Sequence, residues 1–123
     1  MDEYKDDRFH IKIEDGIAYV IWLQDHYEYE DVDFGIKKRR EITEDKEYVM
    51  LSDIRGVKSG SREARQRLSQ KDAGEGMKAV AVVVSSRIHR VLYNFFSTIY
   101  KDPAPTKLFT DKEAAIKWLQ QYK

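Results

Sequence analysis

Cysteine is absent from the 123-residue chain, and proline occurs only twice. Without cysteine the protein cannot form a disulfide, use a thiolate nucleophile or bind zinc through sulfur, and this composition fits a reducing compartment. Net charge is also absent, because 22 basic residues balance 22 acidic ones. A chain without net charge has no overall attraction to nucleic acid or to an anionic membrane. We therefore expect no nucleic-acid partner.

Long apolar runs are also missing. The longest unbroken aliphatic run is residues 79–84, whereas a helix that spans a bilayer needs roughly 20 apolar residues. Residues 1–7 are acidic, whereas a signal peptide is basic and then apolar. These features predict a cytoplasmic protein with no transmembrane segment.

Two strands open the predicted sheet. The apolar residues of segment 9–13 alternate with polar ones, which is typical of an edge strand with one buried face. Asp15-Gly16 then favours a two-residue hairpin turn. Residues 17–23 are apolar on both faces, which places the second strand inside the sheet.

Helices and strands alternate in the rest of the chain. The predicted elements are a helix over 29–42, a buried strand over 48–51, a helix from Ser61 to about Lys71, a buried strand over 79–84, a helix over 87–100, a strand over 106–109 and a last helix. The order ββαβαβαβα predicts an α/β fold with a mainly parallel five-stranded sheet, an antiparallel first strand and about four helices. We expect one domain over residues 1–123, with residues 1–7 frayed.

Polar and charged side chains follow the ends of the predicted parallel strands. Ligands of open α/β sheets gather beyond the carboxyl ends of the strands, and helix N-termini at Ser61 and Ser86 would add backbone donors suited to a phosphate or a carboxylate. The alternative is that both serines only cap helices and that Asp53 pairs with Arg55 or a neighbour. The residues expected at this rim are Asp53, Arg55, Lys58, Ser59, Ser61, Arg62, Ser85, Ser86 and Arg87.

The predicted helix over 87–100 has a second stripe beside its core face. His89, Tyr93, Phe96 and Tyr100 form this stripe when residues are placed 100° apart. Two interpretations stay open, because the stripe could pack under the C-terminal segment, or it could form a homodimer contact of the kind that exposed aromatic patches mark.

Sequence motifs for catalysis or metal binding are absent. His10, His26 and His89 lack metal-ligand spacing and lie on different predicted elements. The chain also contains no P-loop, no nucleophile elbow and no zinc-protease motif. We therefore expect no metal, no cofactor and no enzymatic activity, and an enzyme that uses Asp53 or Ser85 is the third alternative considered.

Short segments spread over nearly the whole chain carry a family resemblance. They are residues 13–17, 53–59, 63–65, 83–86, 94–96 and 105–114, together with Trp118-Leu119. With them the chain resembles SpoIIAA-like, or STAS/SEC14-type, domains, in particular a bacterial subgroup of small uncharacterised proteins. The resemblance implies a non-enzymatic partner of kinases or regulators, phosphorylated on a serine or threonine at the start of the helix after the third strand.

Ser59 and Ser61 occupy the position where the resemblance implies a phospho-acceptor. The Asp-Ser-Ser-Gly type of signature is absent, however, and the loop is longer and more basic, with Arg55, Lys58 and Arg62. The leading hypothesis is a cytoplasmic, non-catalytic regulatory or protein-interaction domain that uses residues 53–61 and the following helix. The alternative is a SEC14-type carrier of a small apolar ligand or lipid, which requires a sizeable apolar cavity.

Overall fold

The computed structural model describes residues 2–85 and 104–123. The strands within these residues are β1 (Glu3–Lys5), β2 (Phe9–Glu14), β3 (Ile17–Trp22), β4 (His26–Tyr27), β5 (Tyr48–Asp53), β6 (Ser59–Gly60), β7 (Met77–Val83) and β8 (Thr106–Phe109). The helices are α1 (Tyr29–Thr43), α2 (Arg62–Leu68), α3 (Lys71–Gly74) and α4 (Lys112–Leu119), followed by a 3₁₀ turn at Gln120–Tyr122.

A mixed sheet with the strand order β1-β2-β3-β5-β7-β8 forms the centre of the fold. The pairs β1-β2 and β2-β3 are antiparallel, whereas β3-β5, β5-β7 and β7-β8 are parallel. The predicted α/β class, with antiparallel first strands and a mainly parallel remainder, is therefore confirmed. The sheet has six strands rather than the predicted five.

The sixth strand is β1, which lies within residues expected to be frayed. The Asp6 carboxylate accepts hydrogen bonds from the backbone N–H groups of Arg8 and Phe9, at 2.7 and 2.9 Å. These bonds fix a turn that brings β1 back along β2, with Tyr4 opposite Ile11. A short polar strand of this kind has too few apolar residues to show a period in the sequence.

The hairpin between β2 and β3 is confirmed. Asp15 and Gly16 have φ values of 52° and 77°, which are the left-handed angles of a tight hairpin turn. Glu14 and Ile17 are paired on either side of the turn.

Two hydrophobic layers cover the sheet. On one face α1, α2 and α3 bury a cluster that includes Phe9, Ile36 and Leu68. On the other face α4 buries Leu119 against a second cluster that includes Leu51. Strand β7 contributes alternate residues to both clusters, so it is buried on both faces, as its apolar run predicts.

The helix predicted from Ser61 to about Lys71 is interrupted in the structure. Helix α2 ends at Leu68 and α3 begins at Lys71, because Gln70 between them has an extended backbone with ψ 151°. The side chain of Arg67 bridges the break, since its guanidinium donates two hydrogen bonds to Asp72, at 2.8 and 2.9 Å. The ion pair between Arg67 and Asp72 therefore connects α2 with α3, which the sequence pattern predicts as a single helix.

Several predictions fall outside the described residues. They are the helix over 87–100, the rim residues Ser86 and Arg87, and the stripe of His89, Tyr93, Phe96 and Tyr100. The homodimer contact assigned to that stripe stays a prediction. Within the described residues, every helix is too short or too polar to cross a bilayer.

Candidate functional site

The candidate site lies at the carboxyl edge of the parallel strands. Asp53 of β5 is paired with Val83 of β7, and the Ile54 N–H donates to the Val83 carbonyl at 3.0 Å. Since the two strands run in the same direction, residues 54–61 and Ser85 leave the sheet at the same edge. Ile54 and Val57 are buried and anchor the loop between them, which leaves its polar residues exposed.

Asp53 and Arg55 form a two-pronged ion pair at this edge. Nε and Nη2 of Arg55 donate to the two carboxylate oxygens of Asp53 at 3.0 and 2.7 Å, and the Arg55 N–H adds a bond of 3.1 Å. The hydrogen bond from the Arg55 guanidinium to Asp53 raises the pKa of Arg55. This pairing is the alternative that the sequence predicts for Asp53. Arg55 is therefore bound to a partner within its own loop.

A small parallel sheet joins β4, in the segment that follows β3, to β6, in the loop that follows β5. The carbonyl of Asp25 accepts hydrogen bonds from the N–H groups of Lys58 and Ser59, at 2.7 and 3.0 Å, and the carbonyl of Tyr27 accepts one from Ser61 at 2.9 Å. The Tyr27 side chain is buried, and its hydroxyl donates to the Arg8 carbonyl at 2.6 Å. Burial raises the pKa of Tyr27 to about 12, so this phenol is a structural anchor.

The pairing of β4 with β6 places His26 beside Ser59. The two residues are partners in the strand register, and the Oγ atom of Ser59 lies 2.7 Å from Nδ1 of His26. The other ring nitrogen of His26, Nε2, contacts the carboxylate of Glu28. The hydrogen bond with His26 lowers the pKa of Glu28, and a bond from Ser61 acts in the same direction. A chain of three polar side chains, Ser59, His26 and Glu28, therefore lies on the surface.

The two candidate serines differ in their roles. The Oγ atom of Ser61 accepts a hydrogen bond of 3.0 Å from the Ala64 N–H and caps α2. This agrees with the alternative in which the serine serves as a helix cap. Ser59 is exposed and precedes the helix. Lys58 and Arg62 beside them are exposed as well, and neither side chain forms an ion pair with any described residue.

Helix α2 presents a polar surface beside this loop. Ala64, Arg67 and Leu68 face inward, and the other side chains of the helix are exposed. The exposed side chains of α2 are Arg62, Glu63, Arg65 and Gln66.

A small cavity lies in the core behind the site, among the residues that the structure describes. A volume of about 30 Å³ lies between the sheet and the helices, beside Trp22, Ile36 and Leu68. Ligand pockets are typically about 300 to 1,000 Å³, so this cavity is too small for a lipid. In residues 2–85 and 104–123, no group of three or more histidine or acidic side chains could hold a metal ion.

The structure joins some of the predicted rim residues and separates others. Ser59 and Ser61 share a cluster with Glu28, whereas Asp53 and Arg55 form a pair of their own. Ser85 follows β7 at the same edge of the sheet. Sequence reasoning considered His26 only as a metal ligand and missed its contact with Ser59, because the two residues are 33 positions apart and no motif links them.

Comparison with known proteins identifies the fold. The model of a family described as Domain of unknown function (DUF7793) matches residues 11–123. A crystal structure from Shewanella loihica PV-4, of an uncharacterized DUF3478-family protein with a SpoIIAA-like fold, is 20% identical. The match covers 90% of this chain and 91% of that one, with a TM-score of 0.70. The predicted SpoIIAA-like fold is therefore confirmed.

A second solved structure is also similar to the chain. It is a protein of unknown function from Arthrobacter sp. FB24, 24% identical, and the match covers 89% of this chain and 97% of that one with a TM-score of 0.36. No curated protein sequence matches the chain.

Proposed function

The chain belongs to the DUF7793 family, and from this premise and its SpoIIAA-like fold we propose that it is a cytoplasmic, non-catalytic regulatory or protein-interaction domain. Its working surface comprises residues 53–61 and the exposed side of α2. Its partner is another protein, such as a kinase or a regulator.

The polar surface of α2 is the observation that carries this proposal. Four of the seven residues of α2 are exposed, while buried Arg67 ties the helix to Asp33 of α1 at 2.9 Å and to Asp72 of α3. A helix held rigidly from below keeps its outer side chains in a fixed arrangement, which reduces the entropy lost when a partner binds.

Ser59 is the phospho-acceptor of the proposed domain. Its hydroxyl is on an exposed residue, whereas the Ser61 hydroxyl caps α2. A phosphate on Ser59 would add about two negative charges beside the exposed cations Lys58 and Arg62. The charge of the loop would then change without loss of the helix cap, so the surface of α2 would keep its shape while its partner preference changed.

Crosslinking tests the interaction surface. A photoreactive amino acid at exposed Gln66 on α2 is compared with one at exposed Lys117 on α4, which packs on the opposite face of the sheet. We expect discrete crosslinked protein partners from position 66 in the native host and none from position 117. Equal crosslinking from both positions, or none from position 66, would contradict the proposed surface.

Mass spectrometry tests the phospho-acceptor separately. Protein purified from the native host is analysed as the unmodified sequence and as the Ser59→Ala and Ser61→Ala variants. We expect a phosphoform that disappears in Ser59→Ala and persists in Ser61→Ala. Absence of the phosphoform under every growth condition, or its loss only in Ser61→Ala, contradicts the assignment to Ser59.

A further inference from the structure

We propose that Ser59 is a nucleophile activated by His26 and Glu28, and that it accepts an acyl group from a small activated ester. This covalent chemistry goes beyond the interaction function proposed above and does not depend on phosphorylation. It is inferred from the chain of polar contacts across the β4-β6 sheet.

The contacts set the direction of proton transfer. The Nε2 atom of His26 contacts the Glu28 carboxylate, which accepts hydrogen bonds and does not donate them when ionised. The ring proton of the neutral imidazole therefore lies on Nε2. Nδ1 is left with its lone pair, and at 2.7 Å it accepts the hydrogen bond of the Ser59 hydroxyl. This is the arrangement of a nucleophile, a base and an orienting carboxylate.

The backbone holds this arrangement in place. Ser59 and His26 are register partners in neighbouring parallel strands, and the backbone bonds from Ser59 and Ser61 to Asp25 and Tyr27 fix the two strands. Glu28 directly precedes α1 and is fixed by its own N–H, which donates to Asp31 at 2.9 Å. The three side chains are therefore positioned by secondary structure as well as by their own contacts.

Three other serines among the described residues have different surroundings. Ser52 is buried and accepts a hydrogen bond from the Trp22 indole at 3.0 Å, and Ser61 caps α2. Ser69 is exposed like Ser59, but its hydroxyl donates to the Gln66 carbonyl at 2.6 Å. A carbonyl cannot remove a proton, so Ser69 is an unactivated hydroxyl with similar exposure and serves as the matched control.

The proposed acyl transfer to Ser59 needs no oxidant or reductant. The Ser59 Oγ forms a bond to the carbonyl carbon of the ester, and its proton moves to Nδ1 of His26. Glu28 stabilises the imidazolium through Nε2. The bond from the carbonyl carbon to the leaving oxygen then breaks, and that oxygen keeps the electron pair and takes the proton from Nδ1. The products are acyl-Ser59 and an alcohol or phenol.

The acyl group is expected to stay on Ser59. The N–H groups of Lys58, Ser59 and Ser61 already donate to backbone carbonyls, so none of the three is available to stabilise the oxyanion of either step. An activated ester has a good leaving group and can acylate Ser59 without this help, whereas the acyl-Ser59 product is an ordinary alkyl ester that water attacks slowly. We therefore expect a single acylation of each chain rather than turnover, which is consistent with a regulatory protein modified at one position.

The test uses p-nitrophenyl acetate and the full chain. Intact mass, peptide mapping and treatment with hydroxylamine, which removes ester-linked acetyl groups but not lysine amides, identify the labelled residue. We expect one ester-linked acetyl group on Ser59, none in Ser59→Ala, and wild-type labelling of Ser59 in Ser69→Ala. Because a general base typically contributes about 100-fold or more, His26→Gln should slow labelling by about that factor, and Glu28→Gln should slow it severalfold.

Three results overturn the proposal. They are no ester-linked acetyl group on Ser59, equal labelling of Ser69, and unchanged labelling rates in both His26→Gln and Glu28→Gln. Circular dichroism of each variant establishes that it is folded, and the Glu28→Gln variant provides a second measurement if His26→Gln is unfolded. If Ser59 is labelled in vitro but no phosphoform is found in the native host, this proposal is supported and the phospho-acceptor assignment made above is contradicted.

Discussion

The ring of Phe9 lies directly against the backbone of Gly35. A β-carbon built on Gly35 would be 2.7 Å from both Cε2 and Cζ of Phe9, a separation that real side chains do not tolerate. Phe9 is buried and packs edge-on against Trp22, with ring centroids 5.2 Å apart. Glycine in the middle of α1 is therefore explained by close packing of the helix on β2.

Replacing Gly35 with alanine is expected to destabilise the protein. Alanine gains about 1 kcal/mol in helix propensity, but overpacking a core costs about 1–3 kcal/mol, and the Phe9 ring has little room to move. We expect a net loss of about 1 kcal/mol in the free energy of unfolding, measured by urea denaturation. Gly56→Ala is the control, since a β-carbon there meets nothing within 4 Å. A more stable Gly35→Ala variant would show that the ring moves aside.

The elements that can be predicted from the sequence are those in which apolar residues recur at a regular spacing. The alternation in β2, the turn at Asp15-Gly16 and the continuous run in β7 each have a local physical cause, and the three elements are confirmed. The predicted edge position of β2 is wrong, because β1 pairs with it on its outer side. Strands β4 and β6 are two residues long each, so neither is long enough for an apolar pattern to recur.

The site was harder to predict than the fold for the same reason. Asp53 and Arg55 are close in the chain, and their pairing is one of the alternatives that the sequence predicts. The contact of His26 with Ser59 depends instead on the pairing of β4 with β6. Only a three-dimensional arrangement brings these residues together, and no local propensity of either segment encodes it.

Asp6 is expected to make stability depend on pH in the acidic range. Burial of the carboxyl opposes ionisation, but hydrogen bonds from Phe9, Arg8 and Tyr4 outweigh it and lower the pKa of Asp6 to about 2. Because the folded-state pKa is below the ordinary value of 3.8, the contribution is fully present above about pH 4 and is lost as the pH falls to about 2. We estimate this contribution at about 2 kcal/mol.

The variant Asp6→Asn measures this contribution. Its free energy of unfolding should be lower than that of the wild type by about 2 kcal/mol at neutral pH, and the difference should shrink as the pH falls below 4. Asp7→Asn, a change at the exposed neighbouring residue, should leave stability nearly unchanged. A difference for Asp6→Asn that stays constant between pH 5 and pH 3 would show that the carboxylate charge is not its source.

Arg67 is expected to be important for the packing of α2. Only 3% of its side chain is exposed, and it pairs with Asp33 and Asp72. The hydrogen bond to Asp72 raises the pKa of Arg67. Arg67→Met would leave both carboxylates without this partner, although Lys37 and Arg40 still contact them. We expect a loss of about 2–3 kcal/mol in urea denaturation, at the low end for a broken buried pair because the two acids are partly exposed.

A second substitution distinguishes lost charge pairing from lost packing at Arg67. The double variant Arg67→Met/Asp72→Asn removes one of the two carboxylates that have lost Arg67 and should recover part of the stability lost in Arg67→Met. Arg62→Ala, at an exposed position of the same helix, should change stability little. If the double variant is no more stable than Arg67→Met alone, the effect of Arg67 comes from packing of its side chain.

Ser59 and Ser61 are expected to differ in their effect on stability. Ser61→Ala removes the side-chain acceptor for the Ala64 N–H, and loss of a helix cap typically costs about 1 kcal/mol. Ser59→Ala removes an exposed hydroxyl and should cost less than about 0.5 kcal/mol. Urea denaturation of both variants measures the difference, and Ser61→Gly, which retains most N-cap stability, should lie between them. Equal losses for Ser59→Ala and Ser61→Ala would mean that the contact of the Ser59 hydroxyl with His26 is needed to hold β4 and β6 together, which would contradict the expectation that Ser59 contributes little to stability.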